Sequence, residues 1–383
     1  MKRVGFTLIG GYLWVGGYNY QVNLFRTLLT HEQSRIQPVL FLGNDESPDI
    51  VARFNSLDGL KIVQSKVFDR KYRLGRLFKS LVFGCDKKAL NLLEQHDIDI
   101  VFEVANFYGW RFPIKTIAWL PDFQHRHLRH LFGFFSYWKR EIGFQVQVAS
   151  GRDIMLSSED ARTDLLQFYP VLFAKTNVVK FAVPVDEFIG NSRQVAAEYS
   201  LPQHFFYMPN QFWQHKNHEC VIHALSIIKQ KGGKIVVAVS GSQNDHRDKS
   251  YFPKIQGMIQ SLGLESDFRV LGVIPYQHVQ ALMQESMAVI NPSRFEGWST
   301  TVEEAKSLGV KMILSDLRVH MEQAEELAIY FEPDSYKVLA EILENFEPLP
   351  EHEKAKLRIE AAPKSELHLK HFAHAFADLA TTL

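Results

Sequence analysis

Residues 291–314 read NPSRFEGWSTTVEEAKSLGVKMIL, and the fold turns on them. The apolar run at 287–291 is a buried strand ending at Asn291–Pro292. A short loop follows, a helix begins near Thr300 and covers 301–308, and the apolar run at 311–315 is the next strand. Strand, loop, helix and strand in this order form the repeating unit of a parallel sheet. The same alternation extends both ways. Strands are expected at 204–208, 234–240, 268–271 and 329–331, with helices at 219–230, 251–262 and 277–285. Earlier in the chain, strands are expected at 4–9, 39–42, 98–104, 115–120, 145–149 and 177–183, with helices around 22–29 and 89–93. The reading is α/β, with two doubly wound halves at 1–183 and 204–364 joined by a linker at 184–203.

Composition narrows the function. Hydrophobic residues make up 46% of the 383 and charged residues 22%, enough for two packed cores and incompatible with a disordered chain. Lys+Arg and Asp+Glu are both 43, which removes the basic excess of a general nucleic-acid binder. Two cysteines, Cys85 and Cys220, make neither a disulfide framework nor a four-thiolate zinc site and suit a reducing compartment. No apolar run is long enough to span a bilayer. Residues 1–17, with a basic start but five glycines and no small-x-small cleavage site, read as a first strand and a Gly-rich loop rather than a signal peptide.

The chemistry concentrates in the opening stretch. A loop entering a helix presents backbone N–H groups to an anion, and Gly297 lets the backbone approach closely. Glu296, in the loop, and Glu304, about one turn into the helix, are separated by seven residues and can face one crevice. Carboxylates suit sugar hydroxyls because they accept charge-assisted hydrogen bonds. Glu303 is expected on a solvated helix face. Asp97–Ile98–Asp99 sits at a helix-to-strand junction and is not taken as a metal motif. No dinucleotide, Walker or nucleophile-elbow motif is present.

The string FEGWSTTVEEAKSLG resembles the Glu-x7-Glu motif of retaining glycosyltransferases of the GT-B class, especially glycosyltransferase family four. The resemblance covers nearly the whole chain and is strongest from Met208 to Gln323. It implies two Rossmann-like domains facing a cleft, a nucleotide-sugar donor held mainly by the C-terminal one, and a helix at about 365–383 packing back on the first. It implies that Glu296 holds hydroxyls of the transferred sugar and Glu304 a ribose diol, with Gly297, Trp298, Ser299 and Thr300 lining the donor. In residues 210–217 (NQFWQHKN), Lys216 matches the diphosphate-binding Lys, but Gln211 stands where similar enzymes carry an Arg. Gly16 and Gly17 are favoured over Gly10–Gly11 as the loop lying against the phosphates. Gly241 is expected to make room for the ligand, and Val273 and Ile274 to flank the base. In residues 120–127 (LPDFQHRH), His125 is expected beside the reacting sugar and Asp122 on the acceptor side, with His127 and His130 at the surface. Residues 316–323 receive no role.

The function read from this is metal-independent, retaining transfer of a sugar from a nucleoside diphosphate to an acceptor hydroxyl. No cofactor is required. Glu296, Lys216 and His125 are the catalytic candidates. The setting implied is cell-surface polysaccharide assembly, capsule or O-antigen, on the cytoplasmic membrane face, with a glycan or lipid-linked glycan as acceptor. A nucleotide-sugar epimerase and a catalytically silent nucleotide-sugar-binding subunit are the alternatives. Charge is divided unevenly, with 24 Lys+Arg against 17 Asp+Glu in residues 1–180 and 19 against 26 in the rest. The excess gathers in residues 66–88, whose Leu74, Leu77, Phe78, Leu81 and Val82 recur at helical spacing. That segment is either a helix with one buried face or a surface for an anionic membrane. Residues 131–138 (LFGFFSYW) are likewise either a core helix or an apolar patch for a lipid-linked acceptor.

Overall fold

The computed structural model describes all residues except 11–14, 105, 171–174, 186, 187, 189 and 246. The chain divides into two units, one formed by Met1–Arg126, Gly133–Val183 and Leu367–Leu383, the other by His127–Phe132 and Pro184–Glu366.

Among the described residues the first unit has seven strands: β1 (Lys2–Thr7), β2 (Ile36–Leu42), β3 (Lys61–Gln64), β4 (Ile100–Glu103), β5 (Lys115–Trp119), β6 (Asp153–Leu156) and β7 (Thr176–Val178). They pair in parallel in the order β3-β2-β1-β4-β5-β6-β7, so the winding reverses between β1 and β4. The second unit has β8 (Phe206–Met208), β9 (Val237–Ser240), β10 (Phe268–Gly272), β11 (Val289–Asn291), β12 (Met312–Ser315) and β13 (Ala328–Phe331). Their order is β10-β9-β8-β11-β12-β13, all parallel, with the reversal between β8 and β11. Ligand crevices in such sheets open at the carboxyl ends of the strands flanking the reversal.

Alternation along each strand sends side chains to two cores, as a sheet covered on both faces requires. In the second unit Phe206, Met208, Val237, Val239, Ile290 and Ile313 pack on one side. Their neighbours Tyr207, Ala238, Val289, Met312 and Leu314 pack on the other. In the first unit Phe6 meets Phe25 edge-on at 4.9 Å and lies 5.9 Å from Phe376, which belongs to the C-terminal helix Glu351–Thr382. Arg35 and Asp378, 2.6 Å apart, tie the end of that helix to this unit.

Several local expectations are corrected. Residues 145–149 (QVQVA) are not a strand but the last turns of the helix Phe134–Ala149. The sheet is continued instead by β6, just beyond them. Gly16 and Gly17 do not form a loop; they lie in the first turn of the helix Val15–His31. Gly11 of the alternative pair falls outside the described residues. The helix Arg73–Phe83 buries only Ser80, so its apolar residues do not face the core. Phe134, Phe135 and Trp138 are also exposed, an outer patch rather than part of a core helix.

Candidate functional site

The centre of the second unit lies where the loops after β8 and β11 meet. Lys216 Nζ donates to Glu296 Oε1 at 2.6 Å, and both side chains are largely covered, with 14% and 9% exposed. Desolvation alone would push the Glu296 carboxyl up. The charges of Lys216, His215 and His320 and the Lys216 hydrogen bond outweigh it and hold the carboxyl at about 2. Burial, then the neighbouring Lys216 cation, lower His215 to about 3, so it is neutral at pH 7.

Backbone and side-chain bonds lace the two loops together. Lys216 follows a tight turn in which its N–H donates to Trp213 O at 2.8 Å. Asn217 adopts φ 57, a left-handed conformation that Asn tolerates, and its amide donates to Pro292 O at 3.1 Å and Pro333 O at 2.6 Å. Arg294 N donates to His215 O at 2.8 Å. Ser293 Oγ is 2.6 Å from Glu296 Oε1 and 2.7 Å from Asn291 Oδ1; with one proton it serves one acceptor at a time.

Helix Thr300–Ser307 begins beside Glu296. Ser299 is its N-cap, its hydroxyl accepting from Val302 N. The loop is clamped by Gln323, fully buried, which accepts from Ser299 N at 2.9 Å and donates to Ser299 O at 3.1 Å and Glu303 Oε1 at 3.0 Å. Glu303 is therefore not solvated, as expected from sequence, but buried and held by Gln323 and Lys306. The cap and clamp take up part of the terminus. The amides of Thr300 and Thr301, first in the helix, are those the helix itself does not use. Glu304, next to Glu303, accepts from Tyr276 Oη at 2.9 Å. Desolvation pushes its carboxyl up to about 7 despite that bond.

Gly241, at the end of β9, has φ 149, and a Cβ there would lie 2.6 Å from Asn210 O and 2.8 Å from Gln211 Cα. Its small size admits the chain's own turn, and Phe212 N donates to Ser242 O across this contact at 2.9 Å. Gly241 and Val273 line an open depression of about 490 Å³ with Gln243, Lys249 and Phe252. Val273 is exposed, while Ile274 is half-buried and packs on the core. Arg247 reaches back from the same loop. Its guanidinium lies 4.9 Å from the Trp213 ring centre and 3.4 Å from His215 Nδ1, and it pairs with Asp245 at 3.4 Å. A guanidinium thus stands beside the Lys216 turn although Gln211 does not supply one.

The remaining candidates belong to the first unit. Asp122 accepts from Gln124 N at 2.9 Å and from Arg140 at 2.8 Å. His125 is fully buried, 3.1 Å from Glu141, which Arg126 and Tyr169 also contact. Burial, then the Arg140 charge, lower His125 to about 4. A side chain with no exposed surface braces its turn and does not meet a sugar, which corrects the role expected from sequence. His127 and His130 are exposed.

Sequence reading passed over Asn217, Ser293, Gln323, Tyr276 and Arg247. Only Asn217 carried a local signal, an Asn just before a helix. The others are recognisable by what they touch. Among the described residues no group of three or more His, Cys, Asp or Glu is placed to hold a metal ion.

Comparison with known proteins places this geometry. Residues 193–365, within the second unit, match the family described as glycosyl transferases group 1. A curated relative, the O-antigen chain mannosyltransferase RfbU of Salmonella typhimurium, is 22% identical over 207 residues; the match spans about half of either chain, 54% of each. A glycosyltransferase from Rickettsia africae superposes with a TM-score of 0.72 at 15% identity, covering 100% of this chain and 98% of that one. Anabaena Alr3699/HepE, solved with UDP and glucose, gives 0.72 at 13% identity with full coverage of both. The fold is that of these GT-B proteins, with two Rossmann-like domains.

Proposed function

We propose that the chain is a glycosyltransferase taking its sugar from a nucleoside diphosphate donor held by the second unit. The observation that carries this is the buried Lys216–Glu296 pair at the carboxyl ends of β8 and β11, inside the stretch that matches group 1 glycosyl transferases. The donor's diphosphate takes Lys216 from Glu296, and the freed carboxylate accepts sugar hydroxyls. Arg247 supplies the guanidinium absent at position 211. With the Thr300 and Thr301 amides and Lys216, it meets the charge that grows on the departing diphosphate. The reading needs no divalent cation and leaves the sugar's anomeric configuration retained. The acceptor oxygen bonds to the anomeric carbon, the bond to the diphosphate oxygen breaks on the same face, and the acceptor's proton passes to that oxygen.

The acceptor is proposed to be a glycan or lipid-linked glycan of a cell-surface polysaccharide, worked on at the cytoplasmic face of the membrane. The similarity to RfbU supports it. So does the exposed row Phe134, Phe135, Trp138 and Ile142, on the helix whose Arg140 and Glu141 hold Asp122 and His125. Among the described residues no helix is long and apolar enough to cross a membrane.

Thermal shift against UDP, GDP and dTDP sugars tests the donor: ligand at 100 times its Kd adds about 2.7 kcal/mol of stability. With the stabilising donor and EDTA present, transfer is expected to persist. Lys216→Ala and Glu296→Ala are each expected to lower kcat by about 10²–10³. Full activity in either variant overturns the reading.

A further inference from the structure

The helix Arg73–Phe83 is amphipathic the wrong way round for a surface helix. Leu74 is 79% exposed, Phe78 62% and Phe83 67%, with Leu77, Leu81 and Val82 also outside and Ser80 alone buried. An ordinary surface helix turns its apolar stripe to the core. Other residues hold this one down. The Arg76 guanidinium lies 4.7 Å from the Phe68 ring centre and 4.0 Å from Asp86. Gly84 ends the helix at φ 75, and Arg111 N donates to Gly84 O at 2.7 Å. Gly109 is packed so closely there that a Cβ would lie 2.2 Å from Gly84 O. This junction sets Trp110, 47% exposed, next in the chain to the residue that abuts the helix end.

Charge around the apolar face is one-sided. Of the eight Lys and Arg in residues 66–88, all but the half-buried Arg76 are exposed, whereas both acids, Asp69 and Asp86, are buried. Arg70 pairs with Glu46 at 2.8 Å, and Lys71 is 4.0 Å from Asp69. An outward apolar stripe, an exposed tryptophan beside it and a rim of cations together match an anionic bilayer surface. There, apolar side chains enter the headgroup boundary, tryptophan sits at that level and cations meet phosphates.

We propose that Arg73–Phe83, with Trp110, is the docking surface of this protein on a membrane carrying anionic lipid. The proposal goes beyond sugar transfer and is read without donor or acceptor, so either reading can fall while the other stands.

The experiment is flotation of the full chain with phosphatidylcholine vesicles and with vesicles that also contain phosphatidylglycerol. The chain is expected to float with the anionic vesicles, to partition at least about tenfold less onto the neutral ones, and to be released at ~1 M salt, where screening shortens to about 3 Å. Phe78→Glu with Leu81→Glu, both on exposed positions, is expected to abolish flotation with the circular dichroism and melting curve unchanged. Lys79→Glu with Lys71→Glu is expected to weaken it. Tryptophan emission is expected to shift to the blue on adding anionic vesicles, and Trp110→Phe to remove that shift. Failure to float, flotation indifferent to lipid charge and salt, or flotation unaffected by Phe78→Glu with Leu81→Glu overturns the proposal. So does a dimer in solution that this double variant dissociates, since a second copy would then cover the face.

Discussion

At the scale of single residues, Glu304 and Glu296 show how neighbours divide two like groups. Glu296 has a cation at 2.6 Å and stays ionised; Glu304 has only the Tyr276 hydroxyl, and desolvation takes its carboxyl to about 7. If the ionised Glu304 accepts hydrogen bonds from the donor, affinity is expected to rise about tenfold between pH 6 and pH 8 as it loses its proton. Tyr276→Phe removes the bond that lowers this carboxyl and should move the rise to higher pH; Glu304→Gln should flatten it. Calorimetric titration with the donor across this range decides, and a profile unchanged in Glu304→Gln discards the assignment. Stability runs the other way. The folded chain keeps this proton where the unfolded chain has released it, so Glu304 makes the fold less stable as pH climbs from about 4.5 to about 7 and has no further effect above that.

At the scale of elements, the loop at 292–299 is shaped by a helix lying later in the chain. Gln323 makes three hydrogen bonds to Ser299 and Glu303 in a site without solvent. Gln323→Ala strands the Ser299 N–H and is expected to lower unfolding free energy by about 1–3 kcal/mol, read by urea titration, with a looser donor site as the second readout. A change confined to stability would show that the clamp holds the fold and not the loop. The motif around Glu296 could be read from the string itself because strand, glycine loop and cap are local signals. Gln323 could not, since a glutamine inside a short helix looks the same buried or exposed. Glu303 was misplaced for the same reason: helical spacing does not say which of two adjacent glutamates turns inward. QVQVA at 145–149 alternates like a strand, yet it continues a helix begun at Phe134, and β6 beyond it has only four residues. Short strands such as β3, KIVQ, carry too few positions for alternation to register.

At the scale of the whole molecule, two parallel sheets are each covered on both faces, and the 32-residue helix Glu351–Thr382 starts in the second unit and ends in the first. That alternating pattern is spread over many residues, which is why the architecture was readable while single contacts were not. Phe376 is fully buried against Phe6 and Phe102. Phe376→Ala is expected to destabilise the first unit by about 3–5 kcal/mol in denaturant unfolding. A loss under about 1 kcal/mol would mean that the terminal helix is an accessory to that core.

The Lys216–Glu296 pair has one more consequence. With its ammonium already engaged by a carboxylate of the same chain, the Lys216 turn offers little attraction to stray anions; under the proposed donor role, inorganic phosphate, which brings no sugar for Glu296, competes poorly. Occupancy then depends on a molecule bearing both halves, anion and polyol. Resting self-neutralisation of this kind leaves the site open to such a molecule among competing phosphates.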